Sequence, residues 1–288
     1  FPQFGTLGSG NHFLEIQKVT QILDEEKAKA FGVKEGQITV MIHCGSRGFG
    51  HQVCDDYLRT MIQASQKYGI KLPDRELCAA PLNSNEAQDY LGAMRCAVNY
   101  AFCNRQVISH WTRETFSRVF NTQWEDLDLS LIYDVAHNIA KIEEHEVDGK
   151  NKKLCVHRKG ATRAFWKGRP EIPQNYREVG QPVIIPGSMH TSSYLLCGLE
   201  TAAEAWGSSC HGSGRLMSRH QAIRTFGNRN IQKEMEDKGM AVRATKPEVL
   251  AEESGGAYKD VSQVVQSVEQ AGLCKIVAKL EPLGVIKG

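Results

Sequence analysis

Histidines that stand where a short extended run meets glycine or asparagine are the feature that most restricts the fold of this chain. His43 follows the apolar run 38–42, His137 follows residues 129–135, and His12 lies between a glycine-rich turn and an extended run. In α/β proteins, ligand-binding groups stand at strand ends, just before such turns. We therefore expect strands that deliver these histidines to a shared cleft.

Helix-type patterns alternate with these runs, which indicates a mixed α/β protein. Helices are predicted over residues 21–31, 50–68, 85–120, 227–239, 246–253 and 260–271, and strands over 38–42, 129–135 and 275–280. Residues 183–189 are predicted to be a short strand that enters a turn. Residues 144–157 hold an Asp-Gly pair between two extended runs, which is typical of a β-hairpin. The predicted fold class is α/β (mixed α+β), with one large domain over residues 1–288, mixed sheets and surrounding helices.

Composition is typical of a soluble globular protein, with 41% hydrophobic and 24% charged residues. No apolar run has the length needed to cross a bilayer, and the first residues lack the basic and apolar regions of a signal peptide. We therefore expect a cytoplasmic protein with no membrane partner. The nine cysteines include no Cys-x-x-Cys pair, which argues against a disulfide scaffold and a structural zinc knuckle.

Positive charge is clustered, although the net charge is only +2. That net charge is too small to indicate nucleic-acid binding by bulk electrostatics. Two segments are nevertheless basic, from Arg158 to Arg169 and from Arg215 to Arg229. Residues His157–Arg163 could contact phosphates or a polynucleotide backbone, and each basic segment could equally be a solvated face.

His211 stands among small residues and is followed by Gly-Ser-Gly-Arg. Glycines leave the backbone bare enough for a bulky ligand to approach the ring. Arg215 and Arg219 would share a face of a helix that begins near Arg215, and guanidinium groups bind phosphate in a bidentate way. The stretch indicates phosphorus chemistry, although a glycine-rich turn with a structural histidine would give the same pattern.

Two better-known motifs of phosphate and nucleotide chemistry are excluded. Residues 5–10 resemble a phosphate loop, but Asn11 and His12 stand where a Walker A motif needs Lys followed by Ser or Thr. Glu146 stands where the Lys-x-Asp-Gly motif of lysine-type nucleotidyltransferases has its nucleophile. A lysine nucleophile is therefore excluded at that position.

The histidines together favour a metal-assisted site. Neutral imidazoles suit Mn, Zn, Fe or Ni, so His12, His43 and His137 are candidate ligands. Each alone would more often be a structural histidine, but three in matching contexts favour a metal. If His211 is a nucleophile, its attacking nitrogen must be unprotonated, and cations must offset the charge that develops on phosphorus. This combination predicts nucleotidyl transfer through a histidine.

Six short motifs lie along the chain in a fixed order. They are Gly5–Glu15, His43–Gly48, Asp134–Asn138, His157–Arg163, Pro186–Met189 and Cys210–Arg215. In content and order they resemble the successive motifs of the RtcB family of RNA-splicing ligases. The resemblance runs from Gly5 to Lys287 and so covers nearly the whole chain.

The resemblance implies a ligase that depends on GTP and manganese, with two Mn²⁺ per site. Such an enzyme joins RNA ends that carry a 3′-phosphate or 2′,3′-cyclic phosphate to 5′-hydroxyl ends. By that likeness His211 takes guanylate from GTP, the guanylate passes to the RNA 3′-phosphate, and attack by the 5′-hydroxyl releases GMP. The implied setting is tRNA splicing or RNA repair, and an archease-type activating protein is a candidate partner beside RNA.

Carried over motif by motif, the resemblance also assigns roles to individual residues. The metal ligands would be His12, His43 and His137. The guanylate would be held by Asn11, His12, Phe13, Leu14, Glu15, His137, Asn138, Pro186, Gly187, Ser188, Met189, Ser193, Gly212, Ser213, Gly214, Tyr258 and Lys287. Backbone amides and Asn can donate to phosphate, an acidic or hydroxyl side chain can bind a guanine or ribose edge, and a tyrosine ring can contact a base.

Two features depart from the family pattern. The family's first metal site also uses Asp and Cys from an N-terminal motif, and nothing before Gly5 supplies it. We therefore expect the larger C-terminal part of a ligase, in which one metal binds weakly or not at all. His190 stands where the family usually has glycine, and its ring could crowd the guanylate pocket, change nucleotide choice or point to solvent.

Two other functions stay open: a metal-dependent phosphoesterase that uses the same histidines, and an inactive RNA-binding remnant.

Overall fold

The computed structural model describes residues 2–288, which form both sheets and helices. The strands are β1 (Phe13–Ile22), β2 (Ile38–His43), β3 (Asn138–Val147), β4 (Lys150–Lys159), β5 (Ala161–Arg163), β6 (Pro182–Ile185), β7 (Ser193–Gly198), β8 (Ser208–Cys210), β9 (Ala241–Ala244) and β10 (Cys274–Lys287). The α-helices are α1 (Glu25–Phe31), α2 (Arg47–Lys67), α3 (Asn85–Phe120), α4 (Arg219–Phe226), α5 (Ile231–Glu236), α6 (Pro247–Glu252) and α7 (Val261–Gln270). Short 3-10 helices span Arg75–Leu77, Gln174–Tyr176, Glu200–Ala205 and Gly255–Ala257. The predicted mixed α/β class is confirmed.

The chain divides into two compact units. The first comprises His43–Leu129 with the N-terminal residues up to Gly8, and the second comprises Ser9–Ile42 and Ser130–Gly288. The description as one domain over the whole chain stays a prediction.

Helices α2 and α3 dominate the first unit. The predicted bounds of α3 are confirmed, because the Ser84 side chain caps its first turn at Ala87 N and Asn121 ends it with a φ of 51°. Inside the unit, the fully buried Asn104 accepts a 2.6 Å hydrogen bond from Gly5 N and donates to Thr6 O and Gly45 O. Buried polar groups are stable when bonded, so Asn104 ties the N-terminal turn to the loop after β2.

The second unit is organised around a sheet in the order β2-β1-β10-β7-β6, and β9 pairs parallel to β10. Strands β1 and β10 are antiparallel, with Leu14 opposite Ile286 and Glu15 opposite Val285. One face is covered by the apolar side of α7, whose Val261 and Val265 belong to a buried cluster with β6, β7 and β10. The last strand extends to Lys287, beyond the predicted end at residue 280, and so places Lys287 inside the sheet.

A long hairpin and a short strand pair complete the second unit. Strands β3 and β4 pair over their whole length, and Asp148 and Gly149 form the turn with φ values of 54° and 70°. Two successive positive φ values are those of a type I′ turn, so the predicted Asp-Gly hairpin is confirmed. Strand β5 then pairs antiparallel with β8.

The predicted strand over residues 129–135 is wrong. These residues lie outside every helix and strand, and His137 precedes β3 instead of ending a strand. Ile132 and Tyr133 pack against a buried cluster of the second unit, while the Ile132 carbonyl accepts a 2.8 Å hydrogen bond from the Tyr176 hydroxyl. The apolar pattern therefore reflects side-chain burial without a partner strand.

Several predicted helix boundaries are also wrong, and in three helices local caps set the observed ends. The helix predicted from residue 21 begins at Glu25, where Asp24 accepts from Lys27 N at 3.1 Å. The helix predicted over 227–239 is limited to α5, which Asn230 caps. The helix predicted to begin near Arg215 begins at Arg219, after Ser218.

Two expectations from composition can also be compared with the structure. Within the described range 2–288, none of the nine cysteines is joined to another in a disulfide. Among residues 2–288, every helix is too short or too polar to cross a membrane.

Candidate functional site

His211 directly follows β8, and a backbone carbonyl fixes its ring. Its Nδ1 lies 2.7 Å from Gly160 O. A carbonyl oxygen can only accept, so Nδ1 carries the proton of the neutral ring and Nε2 carries the lone pair. Burial lowers the pKa of His211, and the Gly160 hydrogen bond offsets part of that effect. Near neutral pH the ring is therefore neutral, with Nε2 as a nucleophilic nitrogen.

Gly160 joins His211 to the start of β3. Its N–H donates to His137 O at 3.0 Å and to Asn138 Oδ1 at 3.2 Å. Its φ is +67°, and a Cβ at this position would lie 3.3 Å from Cε1 of His211. Glycine is the residue that adopts this conformation without strain and leaves room for the ring.

His137 stacks at a tilt against His211. The ring centroids are 4.6 Å apart and the planes make an angle of 37°. Burial, with the neighbouring His211, lowers the pKa of His137 to about 4. Both rings are therefore neutral near pH 7, and a neutral nitrogen is the form that can bind a metal ion.

Strand pairing explains why residues so far apart in sequence meet here. The β3–β4 hairpin sets Asn138 opposite Lys159, and Gly160 leads into β5. Strand β5 sets Ala161 opposite Cys210, the residue before His211. Two short ladders thus bring His137 and His211 to the same place.

A second backbone cluster joins the turn after β6 to the glycines after His211. Ser213 N donates to Pro186 O at 3.3 Å, and Gly187 N donates to Ser193 Oγ at the same distance. A Cβ on Gly187 would lie 2.2 Å from Ser192 O, so this turn requires glycine. The Pro186–Met189 turn, which the resemblance assigns to the guanylate, and the Gly-Ser-Gly segment are therefore neighbours.

Glu253 is a functional candidate that the sequence analysis missed. This carboxylate is 2% exposed and lies 3.2 Å from Arg215 Nη1 and 4.0 Å from Lys287 Nζ. The Tyr258 hydroxyl donates a short hydrogen bond to it. Burial is the main cause that raises the pKa of Tyr258 above its usual range. Glu253 therefore contacts two residues that are predicted to bind the guanylate, Tyr258 and Lys287. Its only signal in the sequence is the acidic pair before Ser-Gly-Gly-Ala-Tyr.

Glu15 and Lys287 form a buried acid and base on adjacent strands. Burial raises the pKa of Glu15 to about 7, and a 2.6 Å hydrogen bond from Gln17 together with the charge of Lys287 offsets part of that effect. Burial lowers the pKa of Lys287 to about 8, against the charges of Glu253 and Glu15. The ammonium also lies 5.7 Å from the ring centroid of Phe13. Both groups therefore titrate close to physiological pH.

Two arginines are bonded to other residues of this chain, and these bonds correct two interpretations. Arg158 is 2% exposed and makes a bidentate pair with Glu143, so its interpretation as a phosphate contact is wrong. Arg215 does not share a helix face with Arg219, because it precedes α4 and is bonded to Glu253, to Tyr258 and to the Glu252 carbonyl.

The predicted residues thus fall into two neighbourhoods and a remainder. The first neighbourhood is centred on Gly160 and contains His137, Asn138 and His211. The second lies around Glu253 and the β1–β10 pair and contains Phe13, Glu15, Tyr258 and Lys287. Asn11 and His12 precede β1, Leu14 lies in it, and His43 ends β2 within the first unit. Among residues 2–288, no group of three or more His, Cys, Asp or Glu side chains is arranged to hold a metal ion. The metal ligand set stays a prediction.

Comparison with known proteins decides the family. The sequence model of the family described as tRNA-splicing ligase RtcB matches residues 1–288. The chain belongs to this family. The resemblance that the motifs indicated is therefore confirmed.

Archaeal members of the RtcB family match the chain along its whole length. It is 59% identical to the tRNA-splicing ligase RtcB of Archaeoglobus fulgidus and covers 60% of that protein. It is 56% identical to the tRNA-splicing ligase RtcB of Thermococcus kodakarensis, again over 60% of the relative. The tRNA-splicing ligase RtcB of Pyrococcus abyssi is also 56% identical, and 31% of it is covered. The chain thus spans about 60% of the length of the first two relatives.

The His190 side chain is half-buried and forms a hydrogen bond. Its Nδ1 accepts a 3.2 Å hydrogen bond from Gly255 N, and burial lowers its pKa. Of the three alternatives left open for this ring, a side chain that simply points to solvent is wrong.

Proposed function

We propose that this RtcB-family chain carries the nucleotidyl-transfer site of a GTP- and manganese-dependent RNA ligase. The observation that supports this most directly is the contact from His211 Nδ1 to Gly160 O, because it leaves Nε2 unprotonated and nucleophilic. The enzyme would join RNA 3′-phosphate or 2′,3′-cyclic phosphate ends to 5′-hydroxyl ends in tRNA splicing or RNA repair.

The proposed reaction has three transfers at phosphorus. His211 Nε2 attacks the α-phosphorus of GTP, an N–P bond forms, and the bond to pyrophosphate breaks. An oxygen of the RNA 3′-phosphate then attacks the same phosphorus and releases the ring. The RNA 5′-hydroxyl loses its proton, attacks the activated 3′-phosphate and expels GMP. Water first opens a cyclic phosphate.

Two Mn²⁺ ions are proposed cofactors, and His12, His43 and His137 would hold them. The fit is supported by His137, whose pKa of about 4 leaves a neutral nitrogen available near pH 7. When bound, manganese would offset negative charge on the phosphates and the leaving pyrophosphate.

The two neighbourhoods suggest how the chain would hold the guanylate. The backbone from Gly212 to Gly214 lies beside the turn from Pro186, where amides can donate to phosphate. Glu15 and Lys287 offer an acceptor and a donor for a guanine edge. The same proposal includes RNA and an archease-type activating protein as partners, and a cytoplasmic location.

Covalent labelling tests the proposal. The purified protein would be incubated with Mn²⁺ and GTP that is labelled at the α-phosphate. We expect a protein-bound label that is stable in alkali, labile in acid, and transferred to RNA that carries a 3′-phosphate. Phosphate release without label would instead indicate a phosphoesterase, and RNA retention with neither activity an inactive RNA-binding remnant.

Lys287→Ala is expected to lower the initial rate of guanylylation by at least about 10-fold, since it removes a buried cation next to the proposed nucleotide. Metal content, measured by elemental analysis, should not change. Lys279→Ala is a matched control on the same strand, where the lysine is half-exposed and pairs with Glu281. Loss of metal with intact guanylylation would contradict the role of Lys287.

The pH dependence of guanylylation gives a separate test of the Lys287 charge. Because the pKa of Lys287 is about 8, the ammonium is present below this pH and is lost above it. We therefore expect the rate to fall as the pH rises through about 8, measured as initial label incorporation. Arginine keeps its charge over this range, so in Lys287→Arg the alkaline fall should disappear even if the rate is lower. An unchanged fall in Lys287→Arg would assign it to another group.

A further inference from the structure

His190 lies between two segments that the family resemblance assigns to the guanylate. It directly follows the Pro186–Met189 turn, and its Nδ1 accepts a 3.2 Å hydrogen bond from Gly255 N. Gly255 opens the 3-10 helix Gly255–Ala257, and Tyr258 follows that helix. One hydrogen bond thus connects the turn to the segment that carries Tyr258.

The contact between His190 and Gly255 is closely packed. A Cβ on Gly255 would lie 2.9 Å from His190 Nδ1 and 3.1 Å from Ser188 Oγ, so the close approach depends on glycine. Ser188 N in turn donates to Thr191 Oγ1 at 2.7 Å, and Thr191 N donates back to Ser188 O at 3.1 Å. Hydrogen bonds within the turn therefore fix its own conformation, while the His190 ring forms the hydrogen bond between the turn and the segment that begins at Gly255.

The protonation state of His190 suits this role. Because Nδ1 accepts from a backbone N–H, the neutral ring carries its proton on Nε2. Burial is the main cause that lowers the pKa of His190, and the charges of Lys238, Glu234 and Arg229 act on it from neighbouring segments. The ring is neutral near pH 7, so the hydrogen bond to Gly255 is present there.

We propose that His190 is a positioning residue that sets the spacing between the Pro186–Met189 turn and the segment Gly255–Tyr258, and thereby the affinity for GTP. This inference rests on the proposed function.

The effect should appear in KM and not in kcat. His190 bonds to backbone and not to His211, so its contribution is equal in the ground state and the transition state. Interactions of that kind change KM and leave the chemical step unaltered.

His190→Leu and His190→Asn separate the hydrogen bond from the bulk of the side chain. Leucine fills a similar volume without an acceptor, whereas Oδ1 of asparagine can take the place of Nδ1. Guanylylation kinetics should show a KM for GTP that rises about 10-fold in His190→Leu with kcat changed less than about twofold. His190→Asn should stay close to wild type. His220→Leu, the same change at an exposed histidine of α4, is the control.

Three outcomes count against the inference. An unchanged KM in His190→Leu, a fall in kcat alone, or equal effects of leucine and asparagine would each overturn it. If the leucine variant does not fold, as judged by its thermal transition, His190→Ala takes its place with the same expected rise in KM. Wild-type protein that neither binds GTP in a direct titration nor takes up label would instead refute the proposed function.

Discussion

Glu253→Ala is expected to lower the free energy of unfolding by about 3–5 kcal/mol, because it leaves buried charges without their partner. Lys287 is 3% exposed, and its ammonium lies 4.0 Å from the Glu253 carboxylate. Arg215 Nη1 and the Tyr258 hydroxyl also bond to that carboxylate. Removal of the carboxylate leaves Lys287 and the Tyr258 hydroxyl without this partner, while Arg215 keeps its bond to the Glu252 carbonyl. Urea unfolding at neutral pH measures the change.

Glu252→Ala is the matched control for this prediction. The neighbouring carboxylate pairs at 2.9 Å with Arg219, whose side chain is 54% exposed. Exposed ion pairs contribute at most about 1 kcal/mol, so this variant should remain close to wild type in stability. Equal destabilisation of the two variants would show that the Glu253 carboxylate contributes no more to the free energy of unfolding than the Glu252 carboxylate.

Gly160→Ala is expected to lower the rate of guanylylation by about 100-fold, the loss that follows a misplaced catalytic group. The added Cβ would lie 3.3 Å from His211 Cε1 at a φ of +67°, so the ring or the peptide must move. Either movement disturbs the bond from His211 Nδ1 to the Gly160 carbonyl, and with it the tautomer that exposes Nε2. Single-turnover labelling measures the rate.

Gly149→Ala separates this effect from backbone strain. Gly149 has a φ of +70°, and a Cβ there would meet no atom within 4 Å. Both variants should lose about 1–2 kcal/mol of stability from the left-handed conformation. Only Gly160→Ala should lose guanylylation, and a similar loss in both would mean that the contact with His211 is unimportant.

Local features of the fold could be predicted from the sequence. The Asp148-Gly149 turn and the long helix α3 depend on neighbours in sequence, namely a turn that needs two positive φ values and a helix with caps at both ends. The strand predicted over residues 129–135 failed because an apolar run does not say whether a partner strand is present. Packing of Ile132 and Tyr133 against the core satisfies the same pattern.

The candidate site could be predicted in part, for a similar reason. His137 and His211 stood out because each lies beside glycine or asparagine, and their stacking follows from two strand ladders that pair distant segments. Glu253 did not stand out, since a carboxylate at the end of a short helix usually faces solvent. Its partner Lys287 is placed beside it by the extension of β10, which the sequence pattern did not predict.

The location of the covalent nucleotide tests the central claim most directly. After incubation with GTP and Mn²⁺, peptide mass spectrometry at alkaline pH would identify the modified residue. We predict guanylate on His211, whose Nε2 is left unprotonated by the Gly160 contact. Guanylate on Lys287, a buried amine with a pKa of about 8, or the absence of any adduct would contradict the account.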